Sequence, residues 1–386
     1  MMFYLCPALM DMVFFVVVFA AMYQIGQQGL GVVQCKWLAV LYQLSYMSAS
    51  LAVGILISRR NARIILLAGA GLCAAGGAAS LMLRDIFALR AAFCLLGIFM
   101  AFFFNAFQVI MRTEADEGNL ERAVGFYTFS WSLGCGAGFL ASGFVYRLGM
   151  PSLSALVIVL GALIFGILLK AKSRLPADFP DAQAESPAGK RTRRVDPIYL
   201  WTGWLMIFTA MFVLKPVHNF FPAICAAKGI SARLASLPLF LQMTAQALTA
   251  LFMAKWRHVF FRRTPLLLAH VCAAAIFSVM WLWPRLPVLF AGISLIGVYT
   301  GFIFFCSVYY ASTFGRHGFN IGVNECLIGL GAIVGMFAAE RTMNLINNEA
   351  GMYLVSAAAL LASLSLQMAI VNRFFKKTLR RAWLRA

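Results

Sequence analysis

The chain consists largely of apolar segments of about 20 residues separated by short polar loops, and this is the length that a helix needs to cross a bilayer. Apolar residues make up 62% of the 386 positions and charged residues 12%, against about 25% charged in a typical soluble domain. Such a chain has no means of hiding its apolar surface from water. It is therefore predicted to be an all-α membrane protein whose twelve transmembrane helices cover residues 3–25, 35–57, 63–83, 91–111, 122–145, 152–171, 198–220, 233–254, 264–283, 287–310, 320–340 and 352–372.

One long polar stretch, residues 171–197, lies near the midpoint of the chain. It contains four prolines, charges of both signs and no hydrophobic period. A stretch of this composition buries too little apolar surface to offset the entropy lost on ordering. We therefore expect a flexible cytoplasmic linker between an N-terminal six-helix bundle (1–170) and a C-terminal six-helix bundle (198–372), followed by a basic cytoplasmic tail (373–386).

The basic residues, which give a formal net charge of +19, fall in short clusters between the apolar segments. This arrangement is typical of membrane topology signals and argues against nucleic-acid binding. If both termini face the cytoplasm, the cytoplasmic segments hold 23 of the 32 Lys and Arg residues. We therefore expect cytoplasmic termini and a bacterial-type cytoplasmic (inner) membrane location. The N-terminus lacks a basic region and a cleavage site, so the first span is expected to begin near Met1.

Motifs of enzymes and metal sites are missing from the sequence. It contains no HExxH, no GxSxG, no phosphate-binding loop and no GxGxxG paired with an acid. The nine cysteines are scattered singly, which indicates neither a disulfide framework nor a metal site. We therefore expect no enzyme activity and no cofactor, and we expect any pumping to use an ion gradient instead of ATP.

The two halves of the chain repeat each other. A shift of 197 residues places Gly134 on Gly331 and Gly138 on Gly335, and it carries several predicted helix centres onto each other. Small residues at this spacing let helices approach closely, so these four glycines are predicted to pack helices 5 and 11 against their neighbours. Segments 3 and 6 are almost free of polar side chains, and segments 9 and 12 carry one strong polar group each, His270 and Gln367. Helices 3, 6, 9 and 12 are therefore predicted to face lipid.

Twelve spans in two groups of six, a long middle loop and peripheral helices 3, 6, 9 and 12 resemble the major facilitator superfamily. The family signature G-x-L-a-D-r-x-G-r-r/k, between helices 2 and 3, is matched at Gly54, Leu56, Arg59 and Arg63. Ser58 replaces the acid of that signature and Asn61 its second glycine. The resemblance covers the whole chain and implies two pseudo-symmetric six-helix bundles that alternate access to a central site.

Two features of the drug/proton antiporters in that family have no counterpart in this chain. Phe139 stands where the helix 5 signature of antiporters has a proline, and Phe93 stands where helix 4 usually carries an arginine. Both departures argue against a proton-driven drug exporter and mildly favour uptake.

Asp11 lies near the middle of the first predicted helix. An ionised carboxylate at that depth costs several kcal/mol unless it is paired or hydrated. We therefore interpret Asp11 as a candidate for proton coupling. The alternative is a capping or interfacial acid, if helix 1 begins only at Met12.

Lys215 and His218 lie three residues apart on helix 7, with Pro216 between them. Proline removes one backbone hydrogen bond and is expected to kink or open the helix, as in many transporter binding sites. The pair is interpreted as a cationic patch suited to a carboxylate or phosphate. The alternative is a lysine that extends to the outer headgroups.

Further polar and aromatic residues follow the predicted helices at spacings that place them in groups on single faces. They predict a cavity for a polar organic solute with an apolar portion. The alternative is hydrogen bonding between helices, worth about 0.6–2 kcal/mol each. The candidates are Tyr42, Gln43, Tyr46, Asn105, Gln108, Arg112, Tyr127, Trp131, Gln242 and Gln246.

Glu325 lies one turn into helix 11, where the helix dipole stabilises a carboxylate. Because the loop between helices 2 and 3 has lost its acid and kept Arg59 and Arg63, we hypothesise that Glu325 pairs with one of the loop's arginines. This pair, together with Gly54, would form a cytoplasmic gate.

The expected function is secondary active, proton-coupled transport of a small polar or amphipathic organic solute, with an anion favoured and symport as the mode. The protein would act as a monomer in the lipid bilayer, without nucleic acid. The alternatives are a multidrug/proton antiporter and a non-transporting membrane sensor or scaffold that kept the fold.

Overall fold

The computed structural model describes residues 4–57, 61–114, 120–170, 198–256, 259, 262–313 and 317–383. This part of the chain contains twelve long α-helices and no strand, which confirms the predicted fold class. The helices are α1 (Leu5–Gln27), α2 (Gly31–Leu56), α3 (Ala62–Met82), α4 (Ile86–Glu114), α5 (Leu120–Val145), α6 (Met150–Lys170), α7 (Ile198–Ala227), α8 (Ala232–Met253), α9 (Arg263–Leu282), α10 (Leu286–Thr313), α11 (His317–Ile346) and α12 (Gly351–Trp383). The predicted linker, residues 171–197, lies outside the described residues.

Eleven of the twelve helices are long and apolar enough to cross a membrane. The helical form follows from the solvent, because lipid satisfies no backbone N–H or C=O group and a helix satisfies its own. The remaining helix, α5, has 26 residues but carries a charged first turn and many glycines and serines. α5 packs mainly against α1 and α8 inside the bundle. This position is consistent with its low hydropathy, because a helix surrounded by other helices presents little surface to lipid.

Each half packs as a unit, and the two halves meet along a few helices. The main contacts between halves join α5 to α8, α2 to α11 and α1 to α7. The main partners of α3 and α6 are helices of the first half, and those of α9 and α12 are helices of the second. The predicted peripheral position of these four helices is therefore confirmed.

The repeated glycines make equivalent contacts in the two halves. Gly134 and Gly138 of α5 leave no room for a Cβ atom because they lie against the backbone of α1, at Ala8 and Met12. Gly331 and Gly335 of α11 lie in the same way against the backbone of α7, at Phe208 and Phe212. Both pairs step along the partner helix by four residues. The glycines thus bring α5 onto α1 and α11 onto α7 in matching geometry.

Two helices are longer than their hydropathy indicates. α7 continues to Ala227 through Pro216 and Pro222 without interruption, so the predicted opening of the helix at Pro216 is not observed. α12 continues to Trp383, so most of the predicted basic tail is helical. Hydropathy identifies only the apolar part of a helix. The helix itself extends further, because its backbone hydrogen bonds continue through the polar residues at its ends.

We name the two ends of the bundle by the chain segments that lie there. The distal end holds the α1–α2 and α7–α8 loops, and the terminal end holds the starts of α1 and α7. At the distal end, Lys36 of α2 forms an ion pair with Glu340 of α11, at 3.4 Å and with both side chains largely buried. The Tyr23 hydroxyl donates to the Ile230 carbonyl at 2.8 Å. These contacts cross between the halves and close the distal end.

A polar cluster lies inside the C-terminal half. His270 Nδ1 donates to the Leu266 carbonyl at 3.0 Å, which leaves Nε2 as an acceptor. The single lone pair of Nε2 is shared by two donors, the Gln367 amide at 3.0 Å and the Tyr299 hydroxyl at 3.3 Å. Ser363 and Thr209 continue the chain of bonds. The single strong polar groups of α9 and α12 therefore bind each other, which lets both helices stay peripheral.

Candidate functional site

A cavity of about 120 Å³ lies between the two halves. From the N-terminal half its walls contain Asp11, Phe14, Phe15, Tyr42, Gln43, Tyr46, Met100, Phe104, Tyr127, Trp131 and Cys135. From the C-terminal half they contain Met211, Lys215, Phe304, Val308, Glu325 and Ile328. The predicted residues Asp11, Tyr42, Gln43, Tyr46, Tyr127, Trp131 and Lys215 are thus brought together at one cavity, and Glu325 joins them.

Asp11 is buried in the cavity wall, with 5% of its surface exposed. α1 begins at Leu5, so Asp11 lies almost two turns inside the helix and is not a capping residue. The thiol of Cys135 on α5 lies beside its carboxylate. A thiol is a weak donor, so this contact leaves most of the hydrogen-bonding capacity of the carboxylate unused.

Lys215 is half-buried and borders the same cavity. Its ammonium lies 5.6 Å from the centre of the Phe15 ring. Among the described side chains it forms no ion pair, either with Asp11 or with Glu325, because the ion pairs there are Lys36–Glu340 and Lys228–Glu349. Lys215 therefore presents a positive charge to the cavity.

Glu325 is a C-terminal-half carboxylate held by donors from the N-terminal half. Its Oε2 accepts from the Tyr46 hydroxyl at 3.0 Å, and its Oε1 accepts from the Gln108 amide at 3.3 Å. The same Gln108 nitrogen also lies 3.3 Å from the Tyr127 hydroxyl. These bonds join α11 to α2 and α4, so any separation of the halves at this level must break them.

Aromatic rings form much of the remaining wall. Tyr42 stacks on Phe14 with ring centres 4.3 Å apart and lies 6.1 Å from Tyr46. Across the cavity, Trp131 makes an edge contact with Phe304 at 5.0 Å. Rings fixed in this way offer apolar faces to a solute, and their phenol and indole groups offer polar edges.

His218 does not line the main cavity, and its interpretation as one cationic patch with Lys215 stays a prediction. Its Nε2 lies 2.7 Å from Gln242 Oε1, and its ring makes edge contacts with Phe139 and Phe15. It borders a separate small cavity of about 10 Å³, which Lys215 also borders. That volume suits about one water molecule.

Three other predicted cavity residues serve contacts between helices. Asn105 donates to Ser50 at 3.1 Å and to the Ala101 carbonyl at 2.8 Å. Gln246 donates to Ser132 at 2.9 Å, and Gln242 binds His218 as described above. For Asn105 and Gln242, whose partners lie in their own halves, the alternative of interhelical hydrogen bonding is the better account. The Gln246 bond instead joins α8 to α5 of the opposite half. The side chain of Arg112 lies outside the described part of the structure.

The predicted cytoplasmic gate is not formed between Glu325 and Arg63 in this structure. Arg63 donates to the Leu168 and Leu169 carbonyls at 3.5 Å, at the end of α6, whereas Glu325 lies in the cavity wall. Arg59 lies outside the described residues, so its pairing with Glu325 stays a prediction. Gly54 is exposed near the end of α2, with open space where a Cβ atom would be, and its gating role also stays a prediction.

Several cavity residues escaped the sequence reasoning. Phe14 and Phe15 follow Asp11 by three and four residues, so helical spacing could have assigned them to the same face. Cys135 and Phe304 carried no signal, because buried apolar residues fill most positions of these helices. Among the described residues, no group of three His, Cys, Asp or Glu side chains is arranged to hold a metal ion.

Comparisons with known proteins address the fold. The family model described as Major Facilitator Superfamily matches residues 2–224, more than half of the chain. The chain is similar to the crystal structure of the human organic anion transporter MFSD10 (TETRAN), with a TM-score of 0.70 at 13% identity, over 95% of this chain and 98% of that one. It is also similar to a bacterial homologue of the human lysosomal transporter Spinster, inward-facing and unoccupied, with a TM-score of 0.65 at 12% identity, over 97% of each chain. A search of curated proteins returned no match.

Proposed function

Because the chain belongs to the major facilitator superfamily, we propose that it is a secondary active transporter of a small polar or amphipathic organic solute. The carrying observation is the cavity between the halves, where Asp11, Lys215 and Glu325 meet aromatic walls. Buried ionisable groups in a membrane protein are costly and usually mark a substrate or ion path. The distal closure by Lys36 and Glu340 supports alternating access, because a carrier must seal one side of its site.

Asp11 is the proposed site of proton coupling. It shares the cavity with the positive charge of Lys215, and an anionic solute bound at Lys215 would bring a second negative charge close to Asp11. Like charges at short distance in a low-dielectric site repel strongly. Protonation of Asp11 removes this repulsion, so proton and solute would bind together, as symport requires.

The direction and setting follow from the sequence. The missing antiporter features support uptake, and the distribution of Lys and Arg supports cytoplasmic termini in a bacterial-type inner membrane. In this orientation the distal end faces outward and Lys36–Glu340 is an outer seal. The protein would act as a monomer, with protons and the solute as its partners.

The test is uptake into proteoliposomes across a metabolite panel with an imposed proton gradient. Wild-type protein is expected to accumulate at least one solute when the outside is acidic. Asp11→Asn cannot be protonated or ionised, so it is expected to lose gradient-driven accumulation and to show no pH dependence of the remaining downhill exchange. Asp85→Asn is the matched control, because Asp85 is an exposed cap of the Ala88 amide and asparagine caps equally well.

Three results would contradict parts of the proposal. Unchanged pH dependence in Asp11→Asn removes the coupling role. Export driven by the same gradient reverses the direction and supports the antiporter alternative. If no solute moves in either direction, the sensor or scaffold alternative replaces transport.

A further inference from the structure

We infer that the solute is a zwitterion of extended shape, whose anionic group binds Lys215 and whose cationic group binds Glu325. This inference rests on the proposed transport function and names the chemistry of the same cavity. It starts from the three charged groups in the cavity wall, one cation and two carboxylates. Asp11 is reserved for the proton, so Lys215 and Glu325 are the two groups open to a solute.

Among the described side chains, neither Lys215 nor Glu325 is held in an ion pair, and the carboxyl group whose charge acts on Lys215, that of Asp11, is neutral once it carries the proton of the proposed coupling. The Lys215 ammonium lies over the Phe15 ring. Glu325 accepts one hydrogen bond on each oxygen, and a carboxylate has about four acceptor positions, so about half of its capacity is unused among the described residues. A charged group without an ion pair in a low-dielectric site is best neutralised by a ligand of opposite charge.

The two charges lie at different depths. Gly331 and Gly335 of α11 lie level with Phe208 and Phe212 of α7, which sets the register of these two helices. In this register Glu325 lies level with Thr202, which is thirteen residues before Lys215. At 1.5 Å per residue the two backbone positions are about 20 Å apart along the helix axis. The extended side chains of Lys215 and Glu325 shorten this gap. The distance that remains excludes a direct contact between the two charged groups and suits a solute with separated charges.

The wall beside Glu325 is suited to a cationic group. Tyr46 binds Glu325 directly, and Tyr127 is joined to it through Gln108. Trp131 borders the same cavity. A carboxylate beside several aromatic rings is the combination that binds ammonium groups, through charge attraction and cation–π contact. An anion alone would leave Glu325 without a counter-charge, and a cation alone would leave Lys215 without one.

The experiment compares ligands that share a carbon skeleton and differ in their charged groups. The first set is aminocaproate, caproate and hexylamine, and the second is phenylalanine, phenylpropionate and phenethylamine. Their dissociation constants are measured by titration calorimetry on the purified full-length protein. The extended zwitterion aminocaproate is expected to bind about tenfold tighter or more than caproate and hexylamine, since it makes both charged contacts.

Two variants assign the ends of the solute. Glu325→Gln keeps the shape and an acceptor for Tyr46, so it is expected to weaken aminocaproate about tenfold while caproate binds as before. Lys215→Gln is expected to weaken aminocaproate and caproate and to spare hexylamine. Glu349→Gln is the control, because Glu349 pairs with Lys228 on the exposed distal surface.

The outcomes separate the inference from the proposed function. If caproate binds wild type as tightly as aminocaproate, or if Glu325→Gln binds aminocaproate unchanged, the zwitterion inference is overturned and transport of another solute stands. The wild-type comparison needs no variant, so poor folding of Glu325→Gln leaves the test intact. If no probe binds, the inference is overturned too, and the metabolite panel above decides on transport by itself.

Discussion

The cavity and the polar cluster of the C-terminal half contain similar groups in different arrangements. In the cluster, His270, Tyr299 and Gln367 bind one another, and their partners all belong to one half. In the cavity, Lys215 has no ion pair among the described residues, and Glu325 is held by Tyr46 and Gln108 of the opposite half. The cluster can therefore move as one body with its half, whereas the contacts of the cavity must change when the halves move.

The difference shows how to separate structural from functional polar groups in a membrane protein. A polar residue in lipid needs a partner in either case. A structural one has its partner within the same rigid unit. A functional polar residue faces a cavity, or has its partner on the other side of the interface between the two moving halves. Three experiments test this distinction, in addition to those proposed above.

The largest effect is expected from Lys215→Gln. The cavity loses its cation, so uptake of an anionic or zwitterionic solute is expected to fall about 10- to 100-fold, which corresponds to a charge-assisted bond of about 1.5–3 kcal/mol. The measurement is the initial rate of uptake at low solute concentration. Lys228→Gln is the control because its ion pair with Glu349 is exposed. Equal losses in the two lysine variants would refute a specific role for Lys215.

A smaller effect, of another kind, is expected from His270→Leu. It removes the acceptor of the Tyr299 hydroxyl and of the Gln367 amide, so it is expected to destabilise the protein by about 0.6–2 kcal/mol. The measurement is the thermal unfolding midpoint, with solute affinity measured in parallel. Adding Gln367→Leu removes one of the unpaired donors and should restore part of the stability. A loss of affinity with no loss of stability would place His270 in the transport path.

The smallest effect is expected from Tyr46→Phe. It removes one bond between the halves on the terminal side of the cavity, worth about 0.5–1.5 kcal/mol, and should shift the population away from distal opening and toward opening at the terminal end by about 2- to 10-fold. The measurement is the distance between spin labels at Leu30 and Leu234, exposed positions near the distal ends of the two halves. Tyr299→Phe removes a bond within one half and is the matched control. Identical distance distributions in the two tyrosine variants would show that the Tyr46–Glu325 bond does not hold the halves together.

Much of the fold could be predicted because the cost of placing a residue in lipid is nearly a local property. The segment lengths indicated twelve helices, and the weak polarity of segments 3, 6, 9 and 12 indicated their peripheral position. The four repeated glycines were assigned to helix packing from one short match, and the structure places them in equivalent contacts. The family resemblance rested on the same features and on part of one loop signature, and it is confirmed.

The site was only partly predictable. Asp11 and Lys215 were identified because a charge inside an apolar segment is conspicuous in any arrangement of helices. Glu325 was assigned to a gate because it lies near the start of a helix and because the loop between helices 2 and 3 has lost its acid and kept its arginines. The ion pair of Lys36 with Glu340 carried no local signal, because its two residues lie 304 positions apart in the chain.

The sequence by itself determined the solvent, the number of helices, the repeat and the family, since each depends on composition along a single segment. Only the tertiary structure decided which polar groups meet. Helix rotation and the register between helices place Glu325 beside Tyr46 and Gln108, and they place His218 beside Gln242 instead of in the cavity. These two quantities depend on side-chain packing between segments far apart in the chain, such as the glycine contacts of α5 and α11, which hydropathy does not encode.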